Sequence, residues 1–201
     1  MANQLVQSNL NGIIRTDLKI LNNDGSDLTE PDIYTLDTVK SADFEAEIQE
    51  GERIEQTVNG IMRAAINRPD ILRAINMSFV NAKFSPKLFE IIAGQGTLIY
   101  DDVEVDKVIG YQAPTIAQQI NNPVTPFELN MYVARYADGE NVKEQVIGYY
   151  QVTITYGQGK FPGISIGEGE FVNSEFEVRG LENKSKDIGP IKVVKVDVLP
   201  A

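Results

Sequence analysis

The stretch from Ile71 to Gly94, ILRAINMSFVNAKFSPKLFEIIAG, restricts the fold more than any other part of the chain. It reads as a strand, a turn and a short helix. Ile71, Ile75, Met77 and Phe79 recur mostly at even spacing with Arg73 among them, while Ala74, Asn76 and Ser78 take the other face, as a half-buried strand requires. Ser85 is suited to accept from an orphan amide as N-cap, Pro86 loses no hydrogen bond at the first helical position, and Gly94 suits the left-handed residue that ends a helix. Leu88, Phe89, Ile91 and Ile92 form one apolar stripe, with Lys87 and Glu90 opposite. Isolated helices below about 12 residues are marginal in water, so this one needs tertiary packing and is predicted to lie on a sheet.

The other regular patterns are those of strands. Ala42, Phe44, Ala46 and Ile48 alternate with Asp43, Glu45 and Glu47, which predicts a strand with one face in the core and the other wholly acidic. Carboxylates spaced about 6.5 to 7 Å along one face are costly to bury, so that face stays wet. The plain reading is a solvated strand face, and the sharper one is the wall of a charged channel. Asn59-Gly60 marks a hairpin, with Arg63 to Ile66 open to strand or helix. Thr97 to Tyr100, Phe127 to Val133, Val146 to Tyr156, Phe171 to Val178 and Ile191 to Leu199 read as further strands, the β-branched and aromatic 146–156 run as a central one, and Asp138-Gly139 as a hairpin turn. Hairpins outnumber strand-helix alternations. The expected fold is mainly β, an antiparallel β-sandwich or barrel with one short flanking α-helix.

Two regions lack this regularity. Residues 1–30 show no lasting period, yet Ile13, Ile14, Leu18, Ile20 and Leu21 give an N-terminal arm something to bury on a neighbouring subunit. Residues 101–126 are interrupted by Gly110, Pro114, Asn121, Asn122, Pro123 and Pro126, and carry Val103, Val105, Tyr111, Ile116 and Ile120; they are expected to form a long interaction loop. The organisation expected is an arm over 1–30 and a single domain over 31–201 that contains this loop.

Composition removes most chemistry. The 201 residues include no cysteine and no histidine, which excludes thiolate nucleophiles, imidazole bases and the commonest zinc ligands. Eighteen basic against 29 acidic residues give a net charge of −11, which opposes adhesive binding to nucleic acid. Gly157-Gln158-Gly159-Lys160 lacks the hydroxyl residue and the following helix of a phosphate loop, and Asn22, Asp24, Gly25 and Asp27 have the spacing of a turn, not of a calcium loop. The pairs Asp43 with Glu45 and Asp101 with Asp102 are only weak candidates for glycosidase carboxylates. No enzymatic reaction, metal or cofactor is expected. No apolar run approaches the roughly 20 residues of a membrane span, and MANQLVQSNLNG lacks the order of a signal peptide.

The sequence of parts, an N-terminal arm, the acidic strand, the strand leading to FSPKLFEIIAG, a long loop, PFELNMYVARYADG and GYYQVTITYG, resembles the major tail tube protein of long-tailed bacteriophages. The resemblance covers nearly all of residues 30 to 199. It implies a β-sandwich with a flanking helix, hexameric rings stacked by arms and loops into a DNA conduit, and strands shared between neighbours in a closed inner barrel. The family is related in fold to secretion-system tubes. The implied partners are further copies of the chain, other tail proteins at the tube ends and DNA in passage, and the implied place is the virion tail, assembled in the host cytoplasm. On physical grounds Asp43, Glu45 and Glu47 are the lumen candidates, since a wall that repels phosphate lets DNA slide. A carbohydrate-binding β-sandwich with tyrosines as its platform, or a virion decoration module, is the alternative.

Overall fold

The computed structural model describes residues 9–58, 61–94, 96–121, 124–136, 146–160, 162–165 and 173–200. Its strands are β1 (Asn9–Ile20), β2 (Ile33–Leu36), β3 (Val39–Gln49), β4 (Arg53–Val58), β5 (Ile61–Asn67), β6 (Ile71–Asn81), β7 (Thr97–Tyr100), β8 (Val108–Gln112), β9 (Phe127–Tyr136), β10 (Val146–Gly159), β11 (Gly163–Ser165), β12 (Asn173–Leu181) and β13 (Ile191–Val196). The helices are α1 (Pro86–Ala93) and α2 (Ile116–Asn121). The fold is mainly β and antiparallel, as expected.

One nine-stranded sheet runs β2-β1-β9-β10-β12-β6-β3, with β13 added to β10 and β11 to β12. The long strand β10 is central to it. One edge of β10 pairs with β9; the other pairs with β13 from Tyr149 to Ile154 and then with β12 from Gly157 to Gly159. A register shift against β9 falls between Ile154 and Gly157, where the second partner takes over. Irregularities of this kind increase twist and bend a strand, so a single strand can serve both halves of the sheet.

The core lies where those halves face each other. Ile75, Met77 and Phe79 of β6, Phe176 and Val178 of β12, Phe127, Leu129 and Met131 of β9, Ile154 of β10 and Leu18 of β1 meet there. Helix α1 closes it as predicted. Ser85 is extended and its hydroxyl accepts from Leu88 N at 3.4 Å, Pro86 opens the helix, and Gly94 at φ 71° returns its N–H to Glu90 O at 2.7 Å. Leu88, Phe89, Ile91 and Ile92 are all buried. Phe89 meets Phe176 edge-on at 5.3 Å, and Phe176 stacks on Phe79 at 5.1 Å. Each such side chain contributes about 1.5 to 3 kcal/mol on burial, enough together to hold a helix too short to stand alone.

The N-terminal segment corrects the expectation of a docking arm. β1 pairs with β9 along its length and with β2 from Thr16 to Lys19. Leu18 and Leu21 are buried inside the subunit, and Ile13 and Ile20 pack against the core; Ile14 alone of the five arm residues is exposed. The pattern was hidden because Gly12 takes φ 72° and the β1–β9 register shifts between Asn11 and Ile13 and again between Ile13 and Arg15, which breaks the two-residue period.

Residues 101–126 are also more regular than expected. β7 and β8 form a separate hairpin, and α2 follows. Thr115 and Gln118 cap α2 reciprocally: Gln118 N donates to the Thr115 hydroxyl at 3.3 Å, and Thr115 N to Gln118 Oε1 at 2.8 Å. The Asn59-Gly60 and Asp138-Gly139 turns lie outside the described residues, but β4 pairs β5, and β9 pairs β10, so both hairpins are present; Arg63 to Ile66 is strand.

Candidate functional site

The acidic strand face exists and is larger than the sequence suggested. In the ladders of β3, β6 and β12, Asp43 stands opposite Ser78 and Ser78 opposite Glu177; Glu45 stands opposite Asn76 and Asn76 opposite Arg179; Val80 stands opposite Glu175. These residues point away from the core, whose side of the same strands is Ile75, Met77, Phe79, Phe176 and Val178. The result is an open groove of about 350 Å³ over Asp43, Glu45, Asn76, Ser78, Lys160, Glu177 and Arg179. Asp43 and Glu45 are exposed and Glu47 is half-buried.

Two of its carboxylates are matched. Arg179 reaches across β6 to Glu47, with Nη2 at 2.9 and 2.8 Å from its two oxygens, and Lys160 Nζ lies 2.6 Å from Glu177. Both pairs face water, where such bridges contribute little. Asp43, Glu45 and Glu175 have no ion pair among the described residues, so the face is acidic chiefly through them. Glu175 and Glu177 are not among the acidic residues expected from the sequence, although their alternation with Phe176 and Val178 repeats the pattern of 42–48.

The other face of β3 corrects the expectation that it is core. Phe44 is 41% and Ile48 55% exposed. Among the described residues no second layer covers this end of β3 and β6, and Ile71 and Leu72 of β6 are exposed as well. The ribbon continues past Gly51 into the β4–β5 hairpin, where Ile54 and Ile66 form an exposed cross-strand pair. The elbow is tightly built. Gly51 N donates to Asp70 Oδ1 at 2.7 Å and Arg68 N to Glu52 O at 2.9 Å, and a Cβ on Gly51 would collide with the Arg68 carbonyl.

The region expected to be an interaction loop presents several highly exposed apolar side chains. Val103 is 88% exposed and Ile116 and Ile120 each 77%, with Val105 and Ile109 also open. Tyr111 is the exception. It packs on Phe89 at 5.9 Å, and burial, with Glu90 nearby, pushes its phenol pKa up. The remaining tyrosines are dispersed: Tyr132 is buried on β9, Tyr150 lies under Arg135 at 5.1 Å, and Tyr156 donates to Asn23 O at 3.1 Å.

A polar clip holds the turns at one end of the sheet. Asn183, fully buried, donates from Nδ2 to Gly25 O at 2.9 Å and Thr155 O at 3.1 Å, and its Oδ1 accepts from Lys186 N at 3.2 Å. Gly25, at φ 87°, sits so close that a Cβ would lie 2.6 Å from Asn183 Oδ1. Lys186 Nζ bridges Asp27 at 2.8 Å and Glu128 at 2.9 Å. Lys186 and Lys19 hold the Asp27 carboxyl below its ordinary pKa; burial draws Lys186 down, but its two carboxylate partners outweigh that and raise it. The Asn22–Asp27 segment is a turn, as read, with Asp24 Oδ1 accepting from Ser26 N at 2.9 Å.

Among the described residues no helix is long and apolar enough to cross a membrane. No family model matches the sequence, and no curated protein matches it. A chain from the cryo-EM structure of the anti-feeding prophage (AFP) baseplate, 6-fold symmetrised, is similar at a TM-score of 0.36 and 9% identity, over 98% of this chain and 100% of that one. At that depth the likeness carries no inference about what this chain does.

Proposed function

We propose that this chain is a structural protein of a phage tail, without enzymatic activity, which assembles with copies of itself into hexameric rings stacked as a tube. The observation that carries assembly is β3, an eleven-residue strand at the end of the sheet order with Phe44 and Ile48 uncovered on one face and Asp43 and Glu45 wet on the other. A long edge strand with exposed apolar side chains is a template for pairing, and a free subunit that keeps one is unfinished. Ring closure removes such an edge. The sixfold count and the tube come from the resemblance in sequence.

In this reading the groove over β3, β6 and β12 faces the lumen, and Asp43, Glu45 and Glu175 repel DNA phosphate so that the conduit does not hold its cargo. The β4–β5 hairpin and the β7–β8 and α2 projection, rather than the N-terminal strand, supply the contacts between rings. Other tail proteins meet the tube at its ends.

The test is negative-stain electron microscopy of the purified protein over a concentration series. Hollow rings or tubes are expected, and a subunit that stays monomeric at every concentration overturns the proposal. For the lumen, Glu175→Lys should leave tubes intact and slow DNA passage; unchanged ejection would place this face outside the channel.

A further inference from the structure

At the end of the sheet that carries the polar clip, the 22–25 turn, the end of β10 and the segment that follows β12 enclose an open cavity of about 530 Å³. It shares no lining residue with the acidic groove. Its size falls in the range of small-molecule sites, roughly 300 to 1,000 Å³.

The clip holds this cavity in shape. Asn183 Nδ2 donates to Gly25 O and Thr155 O, the chain neighbours of Asp24 and Tyr156, and Asn183 itself stands between Glu182 and Lys184. Tyr156 Oη donates to Asn23 O at 3.1 Å, which ties β10 to the turn a second time. Asp24 Oδ1 accepts from Ser26 N at 2.9 Å and Ser26 Oγ at 2.7 Å, and Arg73 Nε donates to Gln49 Oε1 at 2.7 Å. A lining fixed in this way is ordered before a ligand arrives, so binding costs less.

The side chains left over indicate the class of ligand. Among the described residues Gln158, Glu182 and Lys184 have no side-chain hydrogen-bond or ion-pair partner, and all three line the cavity. They supply an amide that donates and accepts, a carboxylate that only accepts and an ammonium that only donates. With Asp24 and Arg73 the lining holds two carboxylates and two cations. An anionic or cationic ligand would meet as much repulsion as attraction there. Hydroxyl groups donate and accept, and so engage every one of these partners. A purely apolar ligand would leave them unpaired. Tyr156 and Leu181, both half-buried, add apolar surface of the kind that receives the C–H face of a sugar ring.

We propose that this cavity binds a neutral saccharide of one or two rings, held by Gln158, Glu182 and Lys184 and packed on Tyr156. The site is complete within one subunit, so it stands whether or not copies assemble into a tube.

Saturation-transfer NMR observes the sugar and works alike on free subunits and on assembled protein. The probes are maltose, lactose and di-N-acetylchitobiose, with inorganic phosphate as the charged competitor. At least one disaccharide should receive saturation at its ring protons, with a Kd on the order of 1 mM, and excess phosphate should not displace it. Gln158→Ala and Lys184→Ala should each weaken binding about fivefold or more with an unchanged circular dichroism spectrum. Neither side chain is bonded to another described residue, so these two variants test the site and not the fold. No saturation of any of the three sugars, unchanged affinity in either variant, or displacement by phosphate overturns the proposal, and none of these outcomes bears on assembly.

Discussion

The half of the sheet under α1 and the ribbon that leaves it are made of the same kind of strand and end in opposite states. β6 passes through both. From Ala74 to Phe79 its inward side chains are sealed by Phe176 and α1, whereas Ile71 and Leu72, a few residues earlier on the same strand, are exposed. Hydrophobicity does not separate the two regions; the presence of a second layer does. Among the described residues only one half has a cover, and the other half has the composition of an interior without one.

The sharpest way to break this comparison is to remove apolar groups from each region in turn. Phe89→Ala empties a site where three aromatic neighbours meet and should cost about 3 to 5 kcal/mol in chemical denaturation. Ile54→Ala with Ile66→Ala in the ribbon should change subunit stability by less than about 1 kcal/mol, since both are already in water. A large loss from the second pair would mean that the ribbon is packed in the free subunit.

Next in size is the polar clip. Asn183→Ala leaves the carbonyls of Gly25 and Thr155 without their buried donor, while the Lys186 amide keeps the Asn183 backbone carbonyl, for a loss of about 2 kcal/mol. Its loss should loosen the 22–27 and 182–190 turns, read as faster amide hydrogen exchange there, and leave exchange in α1 slow. Uniform acceleration would show that the clip is part of the core, not an addition to it.

These two regions also differ in how well the sequence foretold them. Helix α1 was legible to its caps because Ser85, Pro86 and Gly94 act through local backbone geometry, and its stripe is buried as the spacing requires. Local rules were equally sufficient for β9, β10 and the outward carboxylates of β3. They failed at Asn9–Ile20, where a left-handed Gly12 and two bulges disguise a strand. At α2 the local signal is present, since Thr115-Ile116-Ala117-Gln118 is a capping box, but the helix it opens is only six residues long and lies among breakers. For Phe44 and Ile48 no local signal exists: the same alternation describes a covered and an uncovered strand, and whether a layer lies above it is a fact about the whole fold.

Acid should distinguish the ends of the sheet by a smaller margin. Asp27 is held below its ordinary pKa by Lys186 and Lys19, so its ion pairs contribute stability that is fully present above the unfolded carboxylate value, near 4, and is lost as pH falls through the depressed native one. The Asp27 side chain is half exposed, and the contribution is correspondingly screened. Subunit stability should therefore be level through neutral pH and decline below about pH 4, and Asp27→Asn should flatten part of that decline. An unchanged slope in the variant would assign acid sensitivity to other carboxylates.

The smallest effect on the subunit should have a large effect on assembly, and it comes from the elbow. In Gly51→Ala the new methyl group runs into the Arg68 carbonyl oxygen and lies 2.8 Å from the Pro69 carbonyl carbon, so the ribbon must open where β3 passes into β4. Core side chains lie beyond this point on β6, and the β4–β5 hairpin is a separate two-stranded sheet, so denaturation of the free subunit should shift by less than about 1 kcal/mol. The hairpin would nevertheless leave its native direction, and a contact between copies that depends on that direction would be lost. Subunits of normal stability that no longer assemble would establish the ribbon as a surface whose energy is realised only between copies. Normal assembly by Gly51→Ala would mean that the hairpin can be re-aimed freely, and would leave the projection of β7, β8 and α2 as the contact between rings.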